Sequence, residues 1–408
     1  MKIKKVYPAD IVSFKCQSCG DCCKGWSISI DEMTYKKYQE KLNEKIEGLE
    51  YPYFFENEGV MHYRLYEGLC VFLLNDNKCF IHKNLGTSYK CRTCAVYPRL
   101  EFFSSRSLEI SLTFSCPAAV DILFNNLPFK LKTKFLNVAS AKDINLKLID
   151  DACIGYCHYN FIQKKIIDYI SDAESSFSFE KKLYLISFWL RSIFDKLKNY
   201  KTNNLKKIIK QICCDFEKEI ECLEKLSNEL ASPASAQFAF LITVLNNARI
   251  YYSKNSDKIK KDFFEYMSVL FDFFKIDLYG KYRVSISVKI YKNLYEKHFN
   301  DFQNQFGGII KKYFLYNIIG KRFILNYDII RGYNMQLVCV SLIKLIAFSN
   351  AEIKNEPLHK EHIKFAIRFI ERNFMHANRI FTFWSGKENE TSLNTAPFSK
   401  IISEPPLI

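Results

Sequence analysis

Four cysteines fall within the stretch FKCQSCGDCCKGW, Phe14 to Trp26: Cys16, Cys19, Cys22 and Cys23. A thiolate is a soft ligand that suits zinc and iron–sulfur clusters. Two residues between cysteines let both sulfurs turn toward one metal, and CxxCxxCC overlays two such steps and adds a neighbouring thiol. Adjacent cysteines do not readily reach the same small tetrahedral ion. Cys22 and Cys23 are therefore expected to face different partners, either in a multi-iron cluster or in two centres. Further ligand candidates are Cys70 in GLCVFL, Cys79 in NKCFIH, Cys91 and Cys94 in YKCRTCAVYPRL, and Cys116 in FSCPAA. Nine thiols can fill two four-thiol sites with one left over. Zinc staples and buried free thiols are the structural alternatives. The spacing points firmly to metal and leaves the choice between iron–sulfur and zinc open.

The elements that must position these thiols read as a small α+β module over residues 1–125. SISID alternates and ends at Asp31, an N-cap for the helix EMTYKKYQEKL. MHYRLY, CVFLL, KCFIH and LEISLTF are strand-like runs separated by turn residues. Beyond this the chain reads as helical over 126–384. In SFEKKLYLISFWLRSIFDKLKNY the residues Leu183, Ile186, Leu190, Ile193 and Leu197 recur at steps of three and four, and Ile363, Ile367, Ile370 and Phe374 share a face near the end. Residues 385–408 read as a polar, flexible tail. The fold class expected is mostly α, with a cysteine-rich α+β module in front.

Composition agrees. The 408 residues exceed one ordinary core. Gly (13) and Pro (10) are scarce, against a turn-rich β-sandwich. The net charge of +15 comes from lysines scattered along the chain, so no nucleic-acid partner is expected. The basic N-terminus lacks an apolar core, so no signal peptide is read there. MQLVCVSLIKLIAF is short and carries Lys344, which fits a buried helix rather than a membrane span. A cytoplasmic location follows, where clustered cysteines mean metal or redox chemistry before disulfides. Cys213, Cys214, Cys222 and Cys339 lie in helical patterns and read as core thiols. Cys153 and Cys157, beside His158, form a weaker metal candidate.

CQSCGDCCKGWSISIDEMTYKKY, CVFLLNDNKCFIH, TCAVYPRL and SCPAA together resemble the flagellin lysine-N-methylase family, within the broader cysteine-cluster proteins that chelate zinc or iron. KYFLYNIIGKRFILNYDIIRGYNMQLVCVSLIKLIA and EHIKFAIRFIERNFMH are similar to that family's late helical region. The resemblance covers most of the chain and is specific in its first 120 residues. It implies methylation of flagellin lysines, S-adenosylmethionine as donor and an oxygen-sensitive 4Fe–4S cluster. Its cluster ligands would come from Cys16, Cys19, Cys22, Cys23, Cys70, Cys79, Cys94 and Cys116. Cys91 falls outside this pattern and is expected to be dispensable. The cysteines are not the CxxxCxxC triplet of the main radical S-adenosylmethionine enzymes.

A methyl donor on a Rossmann-like fold calls for a Gly-rich turn, and the sequence has no GxG. The donor must be bound another way. Arg99 is a candidate carboxylate clamp, or a structural ion-pair partner. Trp26 either shields the metal or is a core aromatic. His359 and His362, with His376 further on, are candidates for metal binding or proton transfer. They read more simply as a solvated helix face. Competing functions are a metal-dependent lysine methylase, a non-enzymatic metal-binding protein whose helical region docks a partner, and a metal carrier or electron-transfer protein. In the methylase reading the cysteine module holds the metal and donor while the helical region docks the protein substrate.

Overall fold

The computed structural model describes residues 2–42, 44–103, 107–137, 156–175, 177–198, 205–227, 234–255, 260–277, 280–320 and 329–375. In chain order the front elements are β1 (Lys2–Pro8), α1 (Glu32–Lys41), β2 (Phe54–Asn57), β3 (Val60–Tyr63), β4 (Leu65–Tyr66), β5 (Leu69–Cys70), α2 (Arg92–Val96), β6 (Arg99–Phe103), β7 (Ser107–Leu112), α3 (Pro117–Leu123) and β8 (Leu131–Asn137). Helices follow: α4 (Tyr156–Ser171), α5 (Phe179–Lys198), α6 (Leu205–Cys214), α7 (Phe216–Ser227), α8 (Ala234–Asn255), α9 (Lys261–Phe273), α10 (Val284–Ile319), α11 (Ile329–Lys354) and α12 (Lys360–Ile370).

The described residues form two hydrophobic cores. The smaller holds Ile28, Ile30, Tyr38, Tyr53, Tyr63, Phe72 and Ile81, together with the thiols Cys70 and Cys91. It is closed by the hairpins β2–β3 and β4–β5. Their turns, Glu58-Gly59 and Glu67-Gly68, have positive φ at both residues, as two-residue hairpin turns require. The larger core unites the helices with α3 and β7. Leu183, Ile186, Leu190 and Ile193 of α5 are buried there, as are Ile363, Ile367, Ile370 and Phe374. The side chain of Leu197 lies outside the described residues.

A mixed sheet runs in the order β6-β7-β1-β8, with β1 parallel to β7 and antiparallel to β8. A boundary at residue 125 would cut this sheet, and β8 is a strand where only helix was expected. Phe114 packs against Tyr313 and Tyr316 of α10, so the sheet belongs with the helices. The cysteine module is therefore an excursion between β1 and β6 rather than a free-standing N-terminal domain. The tail 385–408 lies outside the described residues.

KCFIH is not a strand. Cys79 makes one bridge to Leu73, and a π-helical turn begins at Ile81. CVFLL pairs as strand only at Cys70. One helix among the described residues, Gly332–Lys354, is long and apolar enough to cross a membrane, but 89% of its apolar window is buried. Its Lys344 pairs with Glu180 at 2.7 Å, and both are buried.

Asp31 caps α1 as expected. Its carboxylate accepts from Thr34 N at 3.0 Å and from Arg92 N at 3.1 Å, tying α1 to the start of α2. Burial pushes the Asp31 carboxyl up, but the hydrogen bonds from Arg92 and Thr34 outweigh it and hold the group below its usual 3.8. Asp31→Ala should cost about 1–2 kcal/mol in chemical denaturation, the usual loss for a cap. The wild-type advantage is present above pH 3.8, where the unfolded chain's carboxyl is also ionised. It fades as pH falls through the lower folded-state value, and a denaturation series across pH 2–6 (roughly the carboxylate range) checks the sign.

Candidate metal centre

The CxxCxxCC segment has little regular structure of its own and is held by contacts at both ends. Gly20 adopts φ +72° ahead of a 3-10 turn over Asp21–Cys23. A Cβ there would come within 3.1 Å of Leu73 Cδ1 and 3.2 Å of Asn77 O, so glycine is required. Trp26 Nε1 donates to Cys22 O at 2.8 Å, and Gly25 N donates to Gly68 O at 2.7 Å. These bonds dock the loop on the β4–β5 hairpin beside Cys70. Cys91 is the N-cap of α2, Cys94 lies one turn on, and Cys116 is the N-cap of α3 with Pro117 at its first position.

The thiols converge on a cavity of about 300 Å³ lined by Cys16, Cys19, Cys22, Cys23, Cys79, Cys94 and Cys116. Cys70 and Cys91 sit behind it, buried in the small core. Two pairs of thiols are in hydrogen-bonding contact. Cys22 Sγ and Cys23 Sγ are 3.9 Å apart. The hydrogen bond from Cys23 pulls the Cys22 thiol down to about 7, while Cys23 is pushed up by the same bond and by burial. The hydrogen bond from Cys94 likewise lowers Cys91 to about 7, and Cys94 rises. Burial pushes Cys70 up to about 12 and Cys116 up to about 11. Cys116 is close enough to Cys19 and Cys16 to feel their charge, whereas Cys70 feels Cys79, Cys91 and Cys22. Seven of the thiols therefore share one cavity, and Cys70 and Cys91 lie at its back.

Lys90 favours the thiolate at Cys22 and Cys79, and Lys78, Lys83 and His82 also line the cavity. Such a cationic rim offsets the negative charge that several thiolates bring to one metal centre. The donor set fits a thiolate-ligated metal in chemistry and in number. A tetrahedral zinc with Zn–S bonds of roughly 2.3 Å needs its sulfurs roughly 4 Å apart. Among the described residues no three thiols lie within 4.8 Å of one another. A cubane, which carries one thiolate on each of four separate irons, sets its ligands more widely.

The helical body grips this loop. Asp21 pairs with Arg368 of α12 and lies 4.0 Å from Arg372, whose guanidinium also donates to Lys24 O at 3.3 Å. Gln17 donates to Asp121 of α3, and Asp121 pairs with Lys364 of α12.

Residues 165–398 match the FliB lysine N-methylase C-terminal domain, and residues 15–112 match a putative zinc- or iron-chelating domain named for its CxxCxxCC motif. The first of these covers more than half of the chain. The chain belongs to the FliB lysine N-methylase family. It is 28% identical over 128 residues to a lysine-N-methylase of Salmonella typhimurium, covering 29% of this chain and 32% of that protein. Over the same length it is 28% identical to the flagellar biosynthetic protein FliU of Salmonella muenchen, covering 76% of it. An uncharacterised protein of Methanocaldococcus jannaschii is 37% identical over 92 residues, or 21% of this chain and 29% of that protein. The matched part thus spans about a third of the Salmonella typhimurium enzyme's length. No solved structure matches the chain.

Within this FliB-type fold, the eight thiols expected from the resemblance are all at or directly behind the cavity. Cys91, left out by it, is buried among them. Trp26 lines the cavity as well as packing 5.6 Å from Tyr97. Arg99 is exposed and stacks at 5.3 Å over Phe14, which lines the cavity as Arg99 does not. Cys153 and His376 lie outside the described residues, as do the side chains of Cys157 and His158. Cys213 and Cys339 are core thiols, as expected, but Cys214 and Cys222 are exposed.

The solvated-face reading of the late histidines fails for His362, which is fully buried. His359 caps α12 with Nδ1 accepting from Glu361 N, and His362 Nδ1 accepts from His359 N. Both Nε2 atoms therefore carry the protons, and both face Glu356 Oε2, at 3.2 and 3.1 Å. The three donor groups cluster tightly enough for a metal. A metal on the ε nitrogens would have to displace those protons while the δ nitrogens keep accepting, so the trio is a helix cap.

Proposed function

We propose that this chain is a protein-lysine N-methyltransferase that moves methyl groups from S-adenosylmethionine to flagellin lysines in the cytoplasm and depends on an iron–sulfur centre. Membership of the FliB family supports the reaction class. The observation that carries the metal dependence is the convergence of seven cysteines on one cavity with two more thiols at its back. We draw the ligands from the thiols at and behind this cavity, Cys16, Cys19, Cys22, Cys23, Cys70, Cys79, Cys94 and Cys116, with Cys91 buried beside Cys94. The excess of thiols over the four that one zinc takes favours iron–sulfur over zinc. A bound cluster supplies a one-electron carrier and, at an iron without a protein thiolate, a Lewis acid.

The chain's own residues hold and screen that centre. Trp26 and Tyr97 wall the cavity, and the Lys78, Lys83 and Lys90 ammonium groups moderate its charge. In the transfer itself an acceptor ammonium first loses a proton. Its lone pair then forms the N–C bond as the donor's S–C bond breaks, and S-adenosylhomocysteine leaves. The large helical body is the part of the chain with enough surface to dock a protein substrate, since a stable complex needs roughly 800 Å² per partner.

The test is anaerobic purification followed by iron, sulfide and zinc analysis and transfer of labelled methyl groups to flagellin. Iron with matching sulfide, and label on flagellin lysines, are expected. A colourless zinc protein without transfer under strictly anaerobic conditions would leave a metal-binding docking protein instead. Unchanged transfer by folded, metal-free protein would reduce the metal to a staple.

A further inference from the structure

Behind the Trp26–Tyr97 wall lies a second cavity of about 310 Å³, framed by the cysteine loop, Ser115, Tyr252, Lys260 and Arg372. It is not part of the thiol cavity, but Trp26 and Tyr97 line both. Three cations, Lys24, Lys260 and Arg372, face it against one carboxylate, Asp21. That carboxylate is already shared by Lys24 at 3.5 Å, Arg368 and Arg372.

Lys260 is the informative member. Its Nζ is 3.2 Å from Asn373 Oδ1 and 3.5 Å from Arg372 O, and it sits 4.9 Å over the Tyr252 ring. None of these partners is a carboxylate. Burial, with help from Arg372, pushes the Lys260 ammonium down to about 8. A desolvated ammonium beside a guanidinium, both facing open volume, is a site that an anion completes. Inorganic anions would use only that corner. Beyond that corner the lining carries the Trp26, Tyr97 and Tyr252 rings beside Gly25, Ser27 and Ser115, and aromatic rings attract cations. The sequence of features, cationic then aromatic, suits a ligand with a carboxylate at one end and a positive sulfur a few bonds away.

We propose that this second cavity is the subsite for the amino-acid end of the methyl donor, with Lys260 and Arg372 binding its α-carboxylate and Trp26 and Tyr97 facing its sulfonium. This rests on the methyltransferase reading and adds where the donor sits. It offers a carboxylate clamp at a place other than Arg99. A volume of about 310 Å³ is at the lower end of ordinary ligand pockets, enough for the amino-acid end of such a donor.

The test uses the metal-loaded protein, anaerobically and without protein substrate. Calorimetry compares S-adenosylmethionine with its decarboxylated form. Charge-assisted hydrogen bonds of this kind should make the intact donor bind roughly 10- to 100-fold more tightly. Lys260→Gln should remove most of that preference, and adding Arg372→Gln should remove the remainder. In the unaltered protein, acetylation of Lys260 followed by peptide mass spectrometry gives a reading that needs no variant to fold. The intact donor should slow this labelling, and the decarboxylated form should not. Equal affinity for the two compounds, a preference kept in Lys260→Gln, or undiminished Lys260 labelling with donor bound would overturn the subsite while leaving the methyltransferase reading in place. Failure of the loaded protein to bind the donor at all would overturn both.

Discussion

Cys94→Ser or Cys22→Ser strips the metal from the protein and loosens the small core with it. Both side chains line the thiol cavity, and each is hydrogen-bonded to a neighbouring thiol. The small core is thin, and two of its buried members are themselves thiols, Cys70 and Cys91. In a site of this kind the free energy of metal binding is folding free energy. Metal per mole should therefore fall close to zero, and amide exchange across residues 28–91 should speed up while the helices stay protected. Cys213→Ser and Cys339→Ser serve as controls, since both thiols are buried in the helical core, and they should retain full metal. Comparable metal loss in the two sets would refute the site. Cys91 is the discriminating position. The resemblance leaves it out, but the fold buries it against Cys94 and Tyr63, so Cys91→Ser is expected to lose metal as well.

Lys312→Met should cost about 3–5 kcal/mol, the usual result of stranding one member of a buried ion pair. Lys312 Nζ lies 2.5 Å from Asp10 Oδ2 and also donates to Ile122 O at 3.0 Å and Leu127 O at 3.3 Å. Tyr316 OH donates to the other Asp10 oxygen at 2.5 Å. Asp10 is 4% exposed and Lys312 5%, so water cannot replace the lost ammonium. This group fastens the turn after β1 to α10 and to the end of α3. Denaturant unfolding of Lys312→Met, Asp10→Asn and the double variant checks it. The double variant should lose less than the sum of the singles, because removing both charges leaves neither stranded. A single-variant loss near zero would mean that the pair is not holding these elements.

Much of this was legible in the sequence. Periodicities of three and four located the buried faces of α5 and α12, and Asp31 announced α1. The CxxCxxCC spacing marked the centre, because ligand spacing is a local property. What the sequence hid was nonlocal. Lys260 and Arg372 lie far along the chain from Asp21, in helical stretches with no motif, and only packing brings them beside the cysteine loop. The β8 strand, LKTKFLN, has mostly exposed side chains and pairs for its backbone bonds, so it carries little hydrophobic signal. KCFIH has the composition of a strand, but the turn before it leads into a helix. His362 was misread because its burial serves a cap rather than the apolar stripe.

The place of β1 inside the sheet bears on how the chain is made. β1 ends at Pro8, but its parallel neighbour β7 begins at Ser107 and its antiparallel neighbour β8 at Leu131. With translation at roughly 5–20 residues per second, the nascent strand waits for seconds with both edges bare. In that interval the cysteine segment between β1 and β6 leaves the ribosome, before the sheet is complete. An unpaired edge is an invitation to aggregation, and lysines are a common safeguard. KIKKVYP carries Lys2, Lys4 and Lys5 in its first four positions. Lysines so placed disfavour edge-to-edge pairing for as long as β7 and β8 are missing.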